Sequence, residues 1–153
     1  ESVKTYSSIL FIIAAAIGFA RVLTFYEAPE IIARAISGTV SSKIGFLIIV
    51  NVILLFVGMI MDTTPAILIL TSIFLPTAQA YGINPIHFGI IMVVNLAIGF
   101  VTPPLGVNLF VASSISGVPI EKIVKKAVPF IVSFMIALAI ITFVPSVSLV
   151  LIK

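Results

Sequence analysis

At 153 residues, 61% hydrophobic and only 8% charged, with a mean hydropathy of +1.40, the sequence lies far outside the range of soluble globular domains. Between Lys43 and Glu121 the only formally charged side chain is Asp62, which excludes water as the solvent of that stretch and marks an integral membrane protein. The net charge of +3 comes from scattered Lys and Arg without the basic clusters of a nucleic-acid binder, and the absence of cysteine removes disulfides and thiolate metal sites.

The chain opens with Glu1 and no Met, as a fragment or a processed product would. Residues 8–25 form a first apolar span, with Lys4 before it and Arg21 near its end, able to snorkel to the headgroups. The segment 1–26 resembles a signal peptide but runs on into more membrane sequence, so it is read as a mature transmembrane scaffold helix. Residues 27–42 follow as a connector. Pro29 suits a first helical turn, Gly38 a stop, and Ile31, Ile32, Ala35 and Ile36 recur at the spacing of a short interfacial helix.

Residues 43–82 hold two apolar runs separated by "DTTP", Asp62 to Pro65. By length alone each run of about 18 residues nearly crosses a bilayer, which favours two ordinary spans joined at the surface. The sharper alternative is a re-entrant hairpin whose tip, at Asp62, Thr63, Thr64 and Pro65, lies inside the protein. In that case Asp62 is an ionisable group at membrane depth and a functional candidate by default. Thr63 or Thr64 before Pro65 reads as the N-cap of the second arm, and Pro76 shortens its straight part.

Asn84 and Pro85 start the next helix, with Asn as cap and Pro in the first turn. It runs into "NLAIGFVTPPLGVNLF", where Pro103 and Pro104 both lack an amide hydrogen and force a stop near Thr102. Apolar, helix-compatible sequence resumes after Gly106, and neither half alone is long enough to cross. Residues 83–118 therefore read as one discontinuous span. Its broken ends are costly in hydrocarbon unless they face protein or a watery cavity. Carbonyls around Gly99 to Thr102 can coordinate a cation, and amides from Gly106 onward can face an anion, with Asn95 and Asn108 on either side. The bland reading of the same residues is a proline kink without a ligand.

The blocks "GMIMDTTPAILILTSIFLP", "GINPIHFGIIMVVNLAIGFVTPPLGVNLFVASSISG" and "PFIVSFMIALAIITFVPSVSLVL" resemble the C-terminal half of the large membrane (permease, M) subunit of tripartite ATP-independent periplasmic (TRAP) transporters. The resemblance implies an all-α integral membrane fold: one repeat of an elevator-type secondary transporter, with a re-entrant helical hairpin at 43–82 and a discontinuous helix at 83–118. It implies sodium-coupled import of a small organic acid, a carboxylate, across the bacterial inner membrane, after delivery by a periplasmic substrate-binding protein. The other implied partners are a small membrane subunit and the missing N-terminal half of the same subunit. The site it implies comprises Gly58, Asp62, Thr63, Thr64, Pro65, Asn95, Gly99, Thr102, Pro103, Pro104, Gly106 and Asn108, with Gly58, Thr64, Gly99 and Thr102 as sodium ligands.

Residues 119–153 are read as an amphipathic linker and a last span from about 128 to 151. If the hairpin opens to the periplasm, "EKIVKK" is cytoplasmic, and Lys122, Lys125 and Lys126 obey the positive-inside rule, as does Lys4, whereas Arg34 and Lys43 do not. The remaining polar and soft side chains have bland readings. His87 packs at the interface, Asn51 hydrogen-bonds between helices, and Met59 and Met61 pack. Ser113, Ser114 and Ser116 either line the pathway or let helices approach. An enzyme is excluded for want of a nucleophile and base pair or a metal motif. The alternative to a carrier is a pore subunit that uses the hairpin as a re-entrant loop.

Overall fold

In a computed structural model of the chain, residues 42–150 are described throughout, together with a few positions between 14 and 34. The scaffold helix expected at 1–26 and the connector at 27–42 lie largely outside the described residues. The described part is helical: α1 (Lys43–Ile60), α2 (Thr63–Ala80), α3 (Pro85–Gly99), α4 (Val107–Ser116), α5 (Ile120–Phe143) and α6 (Pro145–Leu149). Three of these, α1, α2 and α5, are long and apolar enough to cross a membrane.

The helices start and stop where side-chain chemistry directs. Ser42 caps α1 by accepting from the Gly45 amide, and Asn84 caps α3 by accepting from the Ile86 amide at 2.9 Å, with Pro85 in the first turn. At the α1–α2 junction the expected cap moves. Asp62, with extended backbone angles, is the N-cap of α2, and Thr63 is already helical. The reason is length: only Met61 and Asp62 separate the helices, and both are extended, so the chain turns before it reaches the threonines. Pro76 sits inside α2 without ending it.

The aligned ends of the helices define their directions. Phe46 stacks near Phe88 at the start of α1 and α3, Asn95 bonds to Asn51 midway, and Gly58 meets Gly99 at their far ends. The two helices therefore run parallel. α2 returns antiparallel to both: Thr71 touches the Met92 sulfur, and the loop after α2 folds back on α1, with Tyr81 stacked on Phe46 and Lys43 donating to the Gly82 carbonyl. The core between these three helices follows helical spacing, with Phe46, Val50 and Leu54 on α1, Ala66, Leu70, Ile73 and Phe74 on α2, and Phe88, Ile91, Met92 and Leu96 on α3.

α5 lies outside this core and buries only Leu138 and Thr142, while Phe130, Val132, Phe134, Ile136 and Ile140 are exposed. Beyond its first two turns this helix is apolar on all sides and exposed on most of them, which suits lipid or further protein and not water. It also corrects the expected boundary. "EKIVKK" is not a separate linker but the first two turns of α5, and the helix ends at Phe143 and not near 151. Pro145 is the cause, since it has no amide to donate and forces Val144 out of helical angles before the short α6 begins. Pro129 is absorbed inside α5.

Candidate functional site

The interrupted helix is the feature from which a site can be built. α3 stops at Gly99, three residues earlier than the prolines alone require, because the chain first tightens. The Val101 amide donates to Ile98 and the Thr102 amide to Gly99, each three residues back. Pro103 and Pro104, joined by a cis peptide bond, follow, and α4 starts only at Val107. The gap is thus 100–106 and opens before the stop expected near Thr102. One bond ties its edges together: the Asn108 amide donates to the Phe100 carbonyl at 3.1 Å. Gly106, at φ 43°, makes the turn into α4, and a Cβ there would lie 2.9 Å from the Thr102 carbonyl.

Gly58 and Gly99 set the distance between the two helix ends. A Cβ on Gly99 would come within 2.5 Å of the Gly58 carbonyl carbon and 2.9 Å of the Leu55 oxygen, and a Cβ on Gly58 within 2.7 Å of the Leu96 oxygen. Backbone therefore touches backbone where α1 and α3 end, and both helices point their carbonyl ends to the same level. Among the described residues no backbone hydrogen bond ends on the carbonyls of Gly58, Val101 or Thr102. Oxygen ligands of this kind suit a hard cation without requiring a carboxylate cluster.

One turn before Gly99, on the same face, Asn95 is fully buried. Its amide nitrogen donates to the Asn51 side-chain oxygen at 2.7 Å and to the Asn51 carbonyl at 3.0 Å, while its own Oδ1 has no partner among the described residues. Asn51 in turn donates to the Leu47 carbonyl and accepts from Thr142 at 3.5 Å. Asn95, Gly58 and Gly99 are thus brought together along the α1–α3 seam, with Asn51 as a neighbour that the expected site omitted. The signal for it was available in the sequence, as Asn51 is the only Asn, Gln or charged residue between Lys43 and Asp62.

The remaining expected residues sit just beyond the helix ends. Asp62 and Thr64 are exposed and Thr63 and Pro65 half-buried after α1, whereas Thr102 and Pro103 are half-buried and Pro104 exposed after α3. The Thr102 hydroxyl donates to the Ile98 carbonyl at 2.7 Å, so its oxygen still has lone pairs to offer. Asn108 is exposed on the first turn of α4. His87, in the first turn of α3, is buried beside the Thr142 backbone. Ser113 donates to the Val118 carbonyl and Ser116 to the Ala112 carbonyl, so both fasten the end of α4.

Comparison with known proteins identifies the family. Residues 1–147 match the profile of the family described as "Tripartite ATP-independent periplasmic transporter, DctM component". The chain is 45% identical over 99% of its length to the C4-dicarboxylate TRAP transporter large permease protein DctM of Pseudomonas aeruginosa, covering 35% of that relative. It is 44% identical over 97% of its length to the isethionate TRAP transporter permease protein DctMQ of Oleidesulfovibrio alaskensis, covering 24% of it. It is 34% identical over 93% of its length to the 2,3-diketo-L-gulonate TRAP transporter large permease protein YiaN of Escherichia coli, covering 33% of it. The chain therefore spans about a third or less of the length of these relatives. With a family match that runs nearly end to end, the chain belongs to the large permease (DctM) component of the TRAP transporters.

Proposed function

We propose that this chain supplies one repeat of the substrate-translocating part of a sodium-coupled importer of small organic anions in a bacterial inner membrane. The observation that carries the reading is the contact of Gly58 with Gly99, which holds the C-terminal ends of α1 and α3 side by side. Two carbonyl ends at one level sum their negative dipoles and favour a cation, while the starts of α2 and α4 turn a positive dipole, with the amides of Thr63, Thr64 and Val107, toward an anion. Sodium binds first, through carbonyls near Gly58 and Gly99 and the hydroxyls of Thr64 and Thr102, and its charge then favours the substrate. Asp62, Thr63, Pro65, Pro103, Pro104, Gly106 and Asn108 shape the surrounding turns.

The substrate class rests on the relatives. C4-dicarboxylate, isethionate and 2,3-diketo-L-gulonate are all small organic anions, and one of them is a sulfonate. An anion site made of helix amides accommodates either group. In this reading α1 to α4 move as one block, with α1 and α2 as a re-entrant hairpin, against a scaffold that includes the 1–26 helix. A small membrane subunit and a periplasmic binding protein complete the transporter, as the family description implies.

The test is to place single cysteines at Thr64 and Thr102 in an otherwise cysteine-free complete subunit and to measure thiol labelling from each side of the membrane. Slow labelling that sodium suppresses at both positions is the expected result. Labelling at Thr64 that is as fast as in a surface loop and indifferent to sodium would show α1 and α2 to be plain spans and remove the hairpin from the site.

A further inference from the structure

A second candidate site lies away from the α1–α3 seam, where α4 hands over to α5. A cavity of about 610 Å³ opens there, floored by Ala112, Val118 and Ile123 and rimmed by Lys122, Lys125 and Lys126. The three lysines stand at i, i+3 and i+4 on α5 and so share one face. They repel one another at that spacing, and they occupy the first two turns of a helix, where the macrodipole also disfavours cations. Glu121 is the only acidic residue in that turn, and among the described residues no salt bridge forms with any of the three lysines. The cluster thus has a deficit of negative charge beside an open apolar surface.

Its depth narrows the identity of the occupant. From Ala127 to Phe143 α5 is uncharged and apolar, so the lysines mark the point at which a membrane span reaches the headgroup layer. A ligand that fits must present an anion to three ammonium groups and hydrocarbon to the alanine, valine and isoleucine below them. We propose that this cleft binds an anionic phospholipid, with its phosphate on Lys122, Lys125 and Lys126 and the upper part of an acyl chain on Ala112, Val118 and Ile123. The bound lipid relieves the repulsion among the lysines and fixes the angle between α4 and α5, the joint between the broken helix and the following span. This site is independent of sodium and substrate.

The experiment uses the complete large subunit reconstituted in nanodiscs, with a fluorescent phosphatidylglycerol as probe and phosphatidylcholine as the uncharged comparison. Saturable binding of phosphatidylglycerol over phosphatidylcholine is expected, weakened about fivefold by each of Lys122→Gln, Lys125→Gln and Lys126→Gln. The triple Lys→Arg variant keeps the charge and retains binding, which separates loss of the site from loss of the fold, and Lys43→Gln leaves binding unchanged. Equal binding of the two lipids, or a triple Lys→Gln variant that binds as the parent does, overturns the proposal. So does displacement of the probe by millimolar inorganic phosphate, which would make the cleft a soluble-anion site. A triple Lys→Gln variant that keeps the lipid but loses the small subunit would assign the lysines to an acidic protein surface and also overturn it.

Discussion

Glycine at positions 58, 89 and 99 looks equivalent in sequence, yet the three positions have unequal surroundings. A Cβ on Gly99 would strike the Gly58 backbone at 2.5 Å, whereas a Cβ on Gly89 meets nothing within 4 Å. Gly99→Ala is therefore expected to force α1 and α3 apart and to lower stability by about 1–3 kcal/mol, and Gly89→Ala to be neutral or slightly stabilising. Thermal unfolding of the complete subunit in detergent measures both, and an equal effect of the two substitutions would contradict the close approach. Asn51 and Asn95 form the other residue-scale pair. Replacing each by Ala, singly and together, should show a coupling of about 0.5–1.7 kcal/mol, the range for buried polar pairs in membrane helices. Strict additivity would mean that the bond in the seam adds nothing. From the sequence Asn95 was read as a flank of the break and Asn51 as a separate helix–helix bond. That they bond to each other follows from the parallel register of α1 and α3, which local sequence does not contain.

At the level of elements the breaks were legible and their edges were not. Pro103 and Pro104 announce a stop through local sterics, but the tightening at Val101 and Thr102 begins earlier, because the residue before a proline must already be out of helical angles. Gly106 then makes a turn at positive φ over the Thr102 carbonyl. Gly106→Ala should cost about 1–3 kcal/mol through a left-handed non-glycine residue and a backbone contact at 2.9 Å. The expected outcome is loss of most uptake activity, with membrane insertion retained. Full uptake would show that the geometry of the gap is not used in transport. Pro76 and Pro129 carry the same local signal as Pro103 but end nothing. Each is a single proline in a long apolar helix, where losing one hydrogen bond is outweighed by continuing the helix through hydrocarbon.

For the whole molecule, the distribution of exposed surface matters most. α1, α2 and α3 pack on one another, but α5 is nearly bare, and Ile48, Val52 and Phe56 on α1 are exposed as well. These faces need lipid or further protein, and the chain spans about a third of the length of the permease relatives it matches. The chain by itself should insert into membranes yet show no sodium-driven uptake in proteoliposomes, and adding the rest of the subunit should restore it. Uptake by the isolated chain would mean that one repeat suffices.

The sequence by itself determined the solvent, the helical class, the helix start at Asn84 and Pro85, and the existence of a gap at the double proline. Each of these depends on residues within one or two turns of one another: apolar length, a missing amide, an oxygen able to reach a free N–H. Only the tertiary structure decided that α1 and α3 run parallel, that Gly58 rests on Gly99, that Asn51 holds Asn95, and that three lysines line one cleft with the end of α4. These depend on which helix faces meet. In an almost uniformly apolar chain hydrophobic patterning scarcely distinguishes the faces, so the choice passes to the few small and polar residues that permit close approach.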